Sequence, residues 1–251
     1  MKFHPKLSLE KVYRASIFGL LWVFLPISVL AQSESQSQPI HRFDFGPGEV
    51  ESGYTQVTSN TIFTWKRGYG FLNGSTIQDV DRGGNDALTS DFCNSSQPFV
   101  FAVAIPEGNY NVSITFGDRQ GESRATIRAE SRRLMLENIQ TNKGEFTTRV
   151  FTTNVRYPTI AGTENLVRLK PREKFHANWD KLLTIEFNGP RPCVCAVEIT
   201  PADNVITLYL AGNSTVTDQK MEPYSAWGQM LPRFSSQERS SWQIMQNPVR
   251  V

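Results

Sequence analysis

The sequence predicts a mainly β protein in which a jelly-roll β-sandwich over residues 40–201 is followed by the first strand, turn and helix of an α/β domain over residues 204–234. Short apolar runs separated by turn residues, with no helical period, recur through the first region, which is typical of a double-sheet β domain. In the second region, an apolar run at residues 205–211 leads into a glycine-containing turn, and apolar side chains at helical spacing follow over residues 223–231. Strand, turn and helix in this order form the opening unit of an α/β domain.

Residues 1–31 are predicted to be an export signal. Four basic residues precede an apolar segment at residues 15–30, which leads into a small-residue cleavage site at Ala31. An uncleaved membrane anchor is the alternative, but the segment is shorter than the roughly 20 residues that a spanning helix needs. We therefore expect cleavage after Ala31, a Ser/Gln-rich linker at residues 32–39, a secreted or periplasmic location and no stable membrane span after cleavage.

Removal of the signal changes the charge of the chain. The full sequence has 26 basic and 24 acidic residues, and four of the basic and one of the acidic residues lie in the signal, so the mature chain has a net charge of −1. No Lys/Arg run interleaved with aromatic residues remains, so nucleic acid is not an expected partner. A neutral polar ligand such as a sugar fits this balance better.

Within the sandwich, each apolar run is predicted to be a strand. Residues 99–105 run into a Pro-Glu-Gly-Asn turn and return over residues 110–116, which predicts a hairpin. Phe43 and Phe45 alternate with polar residues in the first strand. The other predicted strands are residues 125–129, 134–136, 146–155, 166–169, 182–187 and 193–199.

The three cysteines leave two interpretations open. An oxidising compartment would permit a bridge from Cys93 to Cys193 or Cys195. Isolated buried thiols are favoured, because two cysteines separated by one residue on a strand point to the same face and cannot bridge each other. No metal site and no cofactor are predicted.

The turn after residues 205–211 reads Gly212, Asn213, Ser214 and Thr215. A strand that ends in such a turn can present a serine hydroxyl at the edge of a sheet, as in many esterases. A serine alcohol is a weak nucleophile without a neighbouring base, and the chain has no histidine after Ser214. The histidines of the chain are His4, His41 and His176.

Residues 207–216 and 222–234 together resemble the first conserved block of SGNH (GDSL-type) hydrolases, and within that superfamily they are most similar to rhamnogalacturonan acetylesterases. The resemblance implies a flavodoxin-like α/β domain in which Ser214 is the nucleophile and its backbone N–H contributes to the oxyanion hole. Gly212 and Asn213 would support the turn, although many members of the family carry aspartate in place of Asn213. The implied substrate is an acetylated pectic polysaccharide or oligosaccharide, and no cofactor is implied.

Four upstream motifs resemble the galactose-binding-like sandwich that precedes the esterase domain in bacterial relatives. They are residues 43–46, 68–71, 130–134 and 178–180. Flat aromatic rings suit pyranose faces, so Tyr69 and Trp179 are the predicted sugar-binding residues, and the other candidates are Tyr54 and Trp65. The competing interpretation is that all four rings belong to the core.

Residues 235–251 do not continue the predicted α/β pattern. They are polar and lack a helix or strand period, and the later Gly, Asn and Asp-x-x-His elements of the family are missing after Phe234. A different reading frame of the gene permits an apolar strand here. Trp242 and Met245 each have a single codon and each is followed by glutamine, so that frame places alanine at both corresponding positions. The expectation is a frameshift after Phe234 and an inactive fragment of a carbohydrate esterase, with a non-enzymatic carbohydrate-binding module as the alternative.

Overall fold

The computed structural model describes residues 40–234, apart from residues 73, 75, 161 and 172–176, together with the backbone of residues 240–246. The predicted export signal, the linker and His176 lie outside the described residues. No helix in the described part of the chain is long and apolar enough to cross a bilayer.

Two sheets packed face to face form the sandwich, which confirms the predicted mainly β fold. Seven strands form the first sheet: β1 (His41–Phe45), β2 (Thr55–Val57), β4 (Gln78–Asp81), β5 (Asp91–Asn94), β7 (Gly108–Gly117), β10 (Phe146–Val155) and β12 (Val194–Pro201). Five strands form the second sheet: β3 (Tyr69–Phe71), β6 (Phe99–Ala104), β8 (Ser123–Ala129), β9 (Arg133–Thr141) and β11 (Leu182–Arg191). A short helix, α1 (Ala87–Ser90), precedes β5.

The strands of the sandwich are mostly antiparallel. The first sheet has the order β10-β7-β12-β1-β2, with β5 beside β12 and β4 beside β5, and the second has the order β3-β6-β11-β8-β9. Only β1 and β2 pair in parallel within the sandwich strands described here. The hairpin from β8 to β9 lies at one edge of the second sheet, and this position matters for the site below.

The core between the sheets is rich in phenylalanine. Phe101 of β6 contacts Phe43 and Phe45 of β1 at ring-centroid distances of 5.0 Å and Phe71 of β3 at 5.6 Å. All four side chains are at most 2 % exposed. Edge-on aromatic contacts of this kind add to the free energy gained from removing the rings from water.

The predicted hairpin of residues 99–105 and 110–116 was wrong. Its two strands exist as β6 and β7, but β6 pairs with β3 and β11 in the second sheet, whereas β7 pairs with β10 and β12 in the first. Every second residue of each strand is buried, so both strands direct apolar side chains into the core from opposite sides. The connection through Pro106 therefore crosses from one sheet to the other.

The remaining predicted strands of the sandwich are confirmed with one exception. Residues 125–129, 134–136, 146–155, 182–187 and 193–199 fall in β8 to β12, with the last run beginning one residue before its strand. The predicted strand at residues 166–169 is replaced by an isolated bridge between Thr159 and Leu166. Leu166 is 63 % exposed, so this segment buries too little apolar surface to hold a strand against the sheet.

The cysteines form no disulfide in the described residues. Cys93, Cys193 and Cys195 are free and buried, which confirms the favoured interpretation. Burial raises the pKa of the Cys93 and Cys195 thiols well above the ordinary value. These thiols are therefore core side chains in the folded protein.

After the sandwich, β13 (Ile206–Gly212) leads into a turn, the short helix α2 (Trp227–Met230) and a 3₁₀ turn (Leu231–Phe234). The helix is shorter than predicted. The expectation that the tail holds no strand was also wrong, because β14 (Ser240–Gln246) pairs in parallel with β13 from Ile206 to Gly212. The partner strand takes up backbone hydrogen-bonding groups that β13 would otherwise expose along one edge.

We expect Phe101→Ala to lower the free energy of unfolding by about 3–5 kcal/mol, because it removes a ring that contacts three others in the core. Urea unfolding followed by circular dichroism measures the loss. The matched control is Phe234→Ala, since Phe234 is 72 % exposed and its removal should change the stability little. Equal losses in the two variants would contradict this packing.

Candidate functional site

The end of β13 forms a tight turn around Asn213. The Asn213 carbonyl accepts hydrogen bonds from the N–H groups of Val216 and Thr217, both at 3.0 Å. Its side-chain Oδ1 accepts from the N–H of Thr215 at 3.1 Å and from the Thr215 hydroxyl at 2.7 Å. This Asx-type pattern leaves Ser214 exposed at the tip of the turn.

Gly212 and α2 hold the turn from either side. A Cβ atom on Gly212 would lie 2.4 Å from a methyl carbon of Val216, so only glycine permits this close return of the chain. The N–H of Trp227, the first residue of α2, donates to the Thr215 carbonyl at 3.1 Å. The chain around Ser214 thus runs from strand β13 through the turn to α2, which begins at Trp227.

No imidazole accompanies Ser214 among the described residues. His41 is the one histidine described, and it lies in β1, where it pairs with Ile199 and stacks on Phe43 at a centroid distance of 5.8 Å. Burial lowers the pKa of His41, and no hydrogen bond joins it to Ser214. The described residues therefore present a serine hydroxyl without its general base.

A buried ion pair lies next to the turn. Asp218, four residues after Ser214, accepts a hydrogen bond at 2.9 Å from Nη2 of Arg133, which is the first residue of β9. Both side chains are 0 % exposed. The Asn178 amide donates to the same carboxylate at 3.2 Å. Two sandwich segments far apart in sequence thus converge on one carboxylate of residues 213–229, which we call the serine-turn segment.

The neighbouring residue of the hairpin binds the same segment. Arg132 donates from Nη1 to the carbonyls of Gln219 and Tyr224, both at 3.2 Å, and its Nη2 pairs with Glu222. Arg128 of β8 also pairs with Glu222 at 2.9 Å. The Glu222 carboxylate is largely exposed to water, so these ion pairs each contribute little to stability.

A chain of hydrogen bonds runs from the sandwich to Ser214. The buried Gln229 of α2 donates from Nε2 to the Ser131 carbonyl at 2.6 Å and to the Gln219 carbonyl at 3.1 Å. Gln219 in turn donates from its own Nε2 to the Ser214 carbonyl at 2.8 Å. The position of the serine turn therefore depends directly on residues 130–133, which we call the β8–β9 hairpin tip.

The hairpin tip has an unusual backbone. Glu130 and Arg132 have left-handed φ values of 55° and 60°, which are uncommon for residues other than glycine. The Glu130 carboxyl accepts the N–H of Thr184 at 3.0 Å, and Glu130 donates its own N–H to the Thr184 carbonyl at 3.0 Å. Burial raises the pKa of Glu130 well above its ordinary value and outweighs the lowering by the Thr184 N–H and by Arg133.

A cleft of about 250 Å³ opens where the hairpin tip meets the serine-turn segment. Leu72 and Val100 give it an apolar wall, and polar groups of both segments line the rest. The polar lining comes from Glu130, Ser131, Arg132, Thr184, Glu186, Gln219 and Lys220. An apolar surface with a few converging polar groups is the usual character of a small-molecule site.

The predicted sugar-binding aromatic residues differ in their surroundings. Tyr69 is half-buried and its ring lies 5.0 Å from that of Phe43, against the core. Trp179 is half-buried, directly after the Asn178 that binds Asp218, and has a left-handed φ of 59°. Trp65 is 66 % exposed.

In the described residues, no group of three or more His, Cys, Asp or Glu side chains could hold a metal ion.

Sequence analysis did not identify Asp218, Gln219 or Gln229 as site residues. The hairpin tip and Asn178 were noticed only as motifs of the sandwich, without a link to the serine turn. Asp218 follows Ser214 by four residues and lies between the two stretches, 207–216 and 222–234, that resemble the esterase block, which is the one local signal that could have pointed to it. Its partner Arg133 is 85 positions away, and no periodicity connects the two.

Comparisons with known proteins agree with this architecture. Residues 41–156 match the family described as "Beta-agarase/YXIM esterase-like, galactose-binding domain-like". Beta-agarase A of Zobellia galactanivorans is 34% identical over 149 residues, covering 56% of this chain and 27% of the agarase. "Uncharacterized esterase YxiM" of Bacillus subtilis is 25% identical over 235 residues, covering 89% of this chain and 54% of that protein. Residues 41–156 of the sandwich thus match a galactose-binding-like domain family that is shared with both proteins.

The crystal structure of YXIM from Bacillus subtilis has the same fold. It superposes with a TM-score of 0.50 at 24% sequence identity, covering 82% of this chain and 54% of that chain. This chain thus spans about half the length of the esterase and about a quarter of the agarase.

We expect Arg133→Met to lower the free energy of unfolding by about 3–5 kcal/mol, because it leaves the Asp218 carboxylate buried without its cation. The double variant with Asp218→Leu should recover most of the loss. Urea unfolding of both variants measures this. Arg149→Met, at an exposed arginine of β10, is the control and should be near neutral. A single variant as stable as the wild type would contradict the network.

Glu130 should make stability fall as the pH rises. The folded carboxyl keeps its proton above its ordinary pKa of 4.5, so over that range the folded state binds more protons than the unfolded state. Glu130→Gln keeps an acceptor for the Thr184 N–H and removes the buried acid, so its stability should depend less on pH. Urea unfolding at pH 5 and pH 8 compares the two proteins, and equal losses over this interval would contradict the assignment.

Proposed function

We propose that this chain is the sandwich and the first catalytic unit of a secreted carbohydrate esterase of the SGNH hydrolase type, acting on acetylated pectic polysaccharide such as rhamnogalacturonan. In this proposal Ser214 is the nucleophile and its backbone N–H is one oxyanion donor. The single observation that carries the proposal is the turn at the end of β13, which exposes Ser214 and fixes the backbone on both sides of it.

The proposed reaction is acyl transfer through an acyl-enzyme. The Ser214 oxygen would attack the acetyl carbonyl, the sugar alcohol would leave, and water would then release acetate. The general base must come from residues other than those described, because His41 makes no contact with Ser214. The described residues supply neither an imidazole base nor a further oxyanion donor at Ser214, each worth about two or more powers of ten in rate, so we expect no turnover from them alone.

The cleft beside the hairpin tip supports a saccharide as the substrate. Its volume of about 250 Å³ suits a single sugar ring rather than a large ligand. Leu72 and Val100 offer an apolar surface, and Gln219 on its other side binds the Ser214 carbonyl. A ring held in this cleft would lie near the serine turn. Trp179 remains a proposed sugar-binding residue. Tyr69 also remains one, through the smaller part of its side chain that is exposed.

A non-enzymatic carbohydrate-binding module is the second candidate. The lack of an imidazole near Ser214 in the described residues favours it, and so does the family match, which lies within the sandwich at residues 41–156. This function would require saccharide binding and no chemistry at Ser214.

The test is a chimera in which residues 37–234 of this chain are followed by the part of the Bacillus subtilis YxiM protein beyond its matching block. We expect turnover of an aryl acetate and release of acetate from acetylated rhamnogalacturonan, with at least a roughly thousand-fold loss in Ser214→Ala. Ser225→Ala, at an exposed serine 11 residues further on, is the control and should stay active.

Two outcomes would separate the candidates. Turnover that survives Ser214→Ala would show that Ser214 is not the nucleophile. A folded chimera that binds acetylated oligosaccharide and hydrolyses nothing would favour the binding module.

A further inference from the structure

An exposed tryptophan lies on the loop that joins β2 to β3. Trp65 has 66 % of its surface exposed, more than either of the two aromatic residues named as sugar ligands from the sequence. We call residues 61–68 the Trp65 loop. A large flat ring displayed in this way is available to stack on a ligand.

The loop is held rigidly against the second sheet. The N–H of Phe63 donates to the Phe71 carbonyl at 2.9 Å, and the N–H of Phe71 donates to the Thr61 carbonyl at 2.7 Å. The backbone passes so close to Gly70 that a Cβ there would lie 2.5 Å from the Phe63 nitrogen. Phe71 is fully buried in the core, so these bonds fix the start of the loop to the most stable part of the fold.

The end of the loop is fixed in the same way. The N–H of Gly68 donates to the Thr64 carbonyl at 2.8 Å, and Gly68 takes a left-handed φ of 82°. The Gly68 carbonyl accepts the N–H of Ala104, at the end of β6, at 2.7 Å. The Trp65 ring meets the edge of Phe63 at 5.3 Å and an interplanar angle of 82°. A preformed loop loses little conformational entropy when a ligand binds.

The charge around Trp65 is positive. Lys66 and Arg67 follow it directly and are exposed, and the sequence contains no Asp or Glu from residue 52 to residue 78. The net charge of the mature chain favoured a neutral ligand, but the two cations of this loop favour an anionic one.

We propose that the Trp65 loop is a binding site for an acidic saccharide, with one pyranose ring stacked on Trp65 and the carboxylate of a uronic acid facing Lys66 and Arg67. This site deepens the proposed function in that it also takes a polysaccharide as its ligand. It does not involve Ser214 chemistry. The ring supplies apolar contact and the two cations supply the preference for a uronate over a neutral sugar.

The test measures binding of the 251-residue chain to a de-esterified galacturonic acid oligosaccharide and to a neutral galactan oligosaccharide by isothermal titration calorimetry. We expect binding to the acidic ligand, weakened by salt. Trp65→Ala should lower the affinity about tenfold or more, and Trp65→Phe should keep part of it. Lys66→Gln with Arg67→Gln should lower the affinity and flatten its salt dependence.

Trp227→Ala is the matched control, because Trp227 is 53 % exposed on α2 and lies outside the loop. It should bind as the wild type does. Equal affinity for the neutral ligand, equal loss in Trp227→Ala, or no binding to either saccharide would overturn the proposal. Binding of the chain to phosphatidylglycerol vesicles through Trp65, without binding to the uronate, would also overturn it and would assign the loop to a membrane surface.

The outcome is independent of the esterase assay. Ser214→Ala should bind the acidic saccharide unchanged, since Ser214 is not part of the loop. Failure of uronate binding would leave the turnover of the chimera unaffected, and an inactive chimera would leave the Trp65 loop as a saccharide site.

Discussion

The position of the serine turn depends on the buried ion pair between Arg133 and Asp218. Both side chains are fully buried, so each charge needs a partner to offset its lost hydration, and the two lie 2.9 Å apart. The Asn178 amide also donates a hydrogen bond to the Asp218 carboxylate. Because Asp218 lies only four residues after Ser214, an ion pair that orients Asp218 also orients the turn. The sandwich is therefore part of the structure that holds the serine rather than a separate appendage.

Apolar burial alone would not hold β13 and the serine turn against the sandwich. Ile206, Leu208 and Tyr209 of β13 are 75 %, 40 % and 40 % exposed, so the strand contributes few side chains to the core. Polar contacts replace the missing hydrophobic contacts: the arginines of the hairpin tip bind carboxylates and carbonyls, and Gln229 bridges the hairpin to Gln219. Such contacts are directional, so they specify one orientation of the turn while adding less stability than a core would.

The sequence predicts those elements of the fold that depend on residues close together along the chain. Residues 146–155 were predicted as the strand that the structure shows, because the apolar alternation and the flanking turns are local. The assignment of β6 and β7 to different sheets depends on which strands meet across the core, and alternation is the same in either arrangement. The pairing of Arg133 with Asp218 is likewise a long-range contact. The sequence motif that contains Arg133 and the motif around Ser214 are separate, and neither indicates that the two meet.

Native-state hydrogen exchange, read by mass spectrometry in increasing urea, tests the central claim most directly. Residues 213–229 include the amides of Val216, Thr217, Trp227 and Gln229, all of which donate to backbone carbonyls. If the ion pair joins the turn to the sandwich, these amides should lose protection with the same urea dependence as those of β8 and β9. Exchange of residues 213–229 at the rate of an unfolded peptide, while β8 and β9 remain protected, would contradict the account.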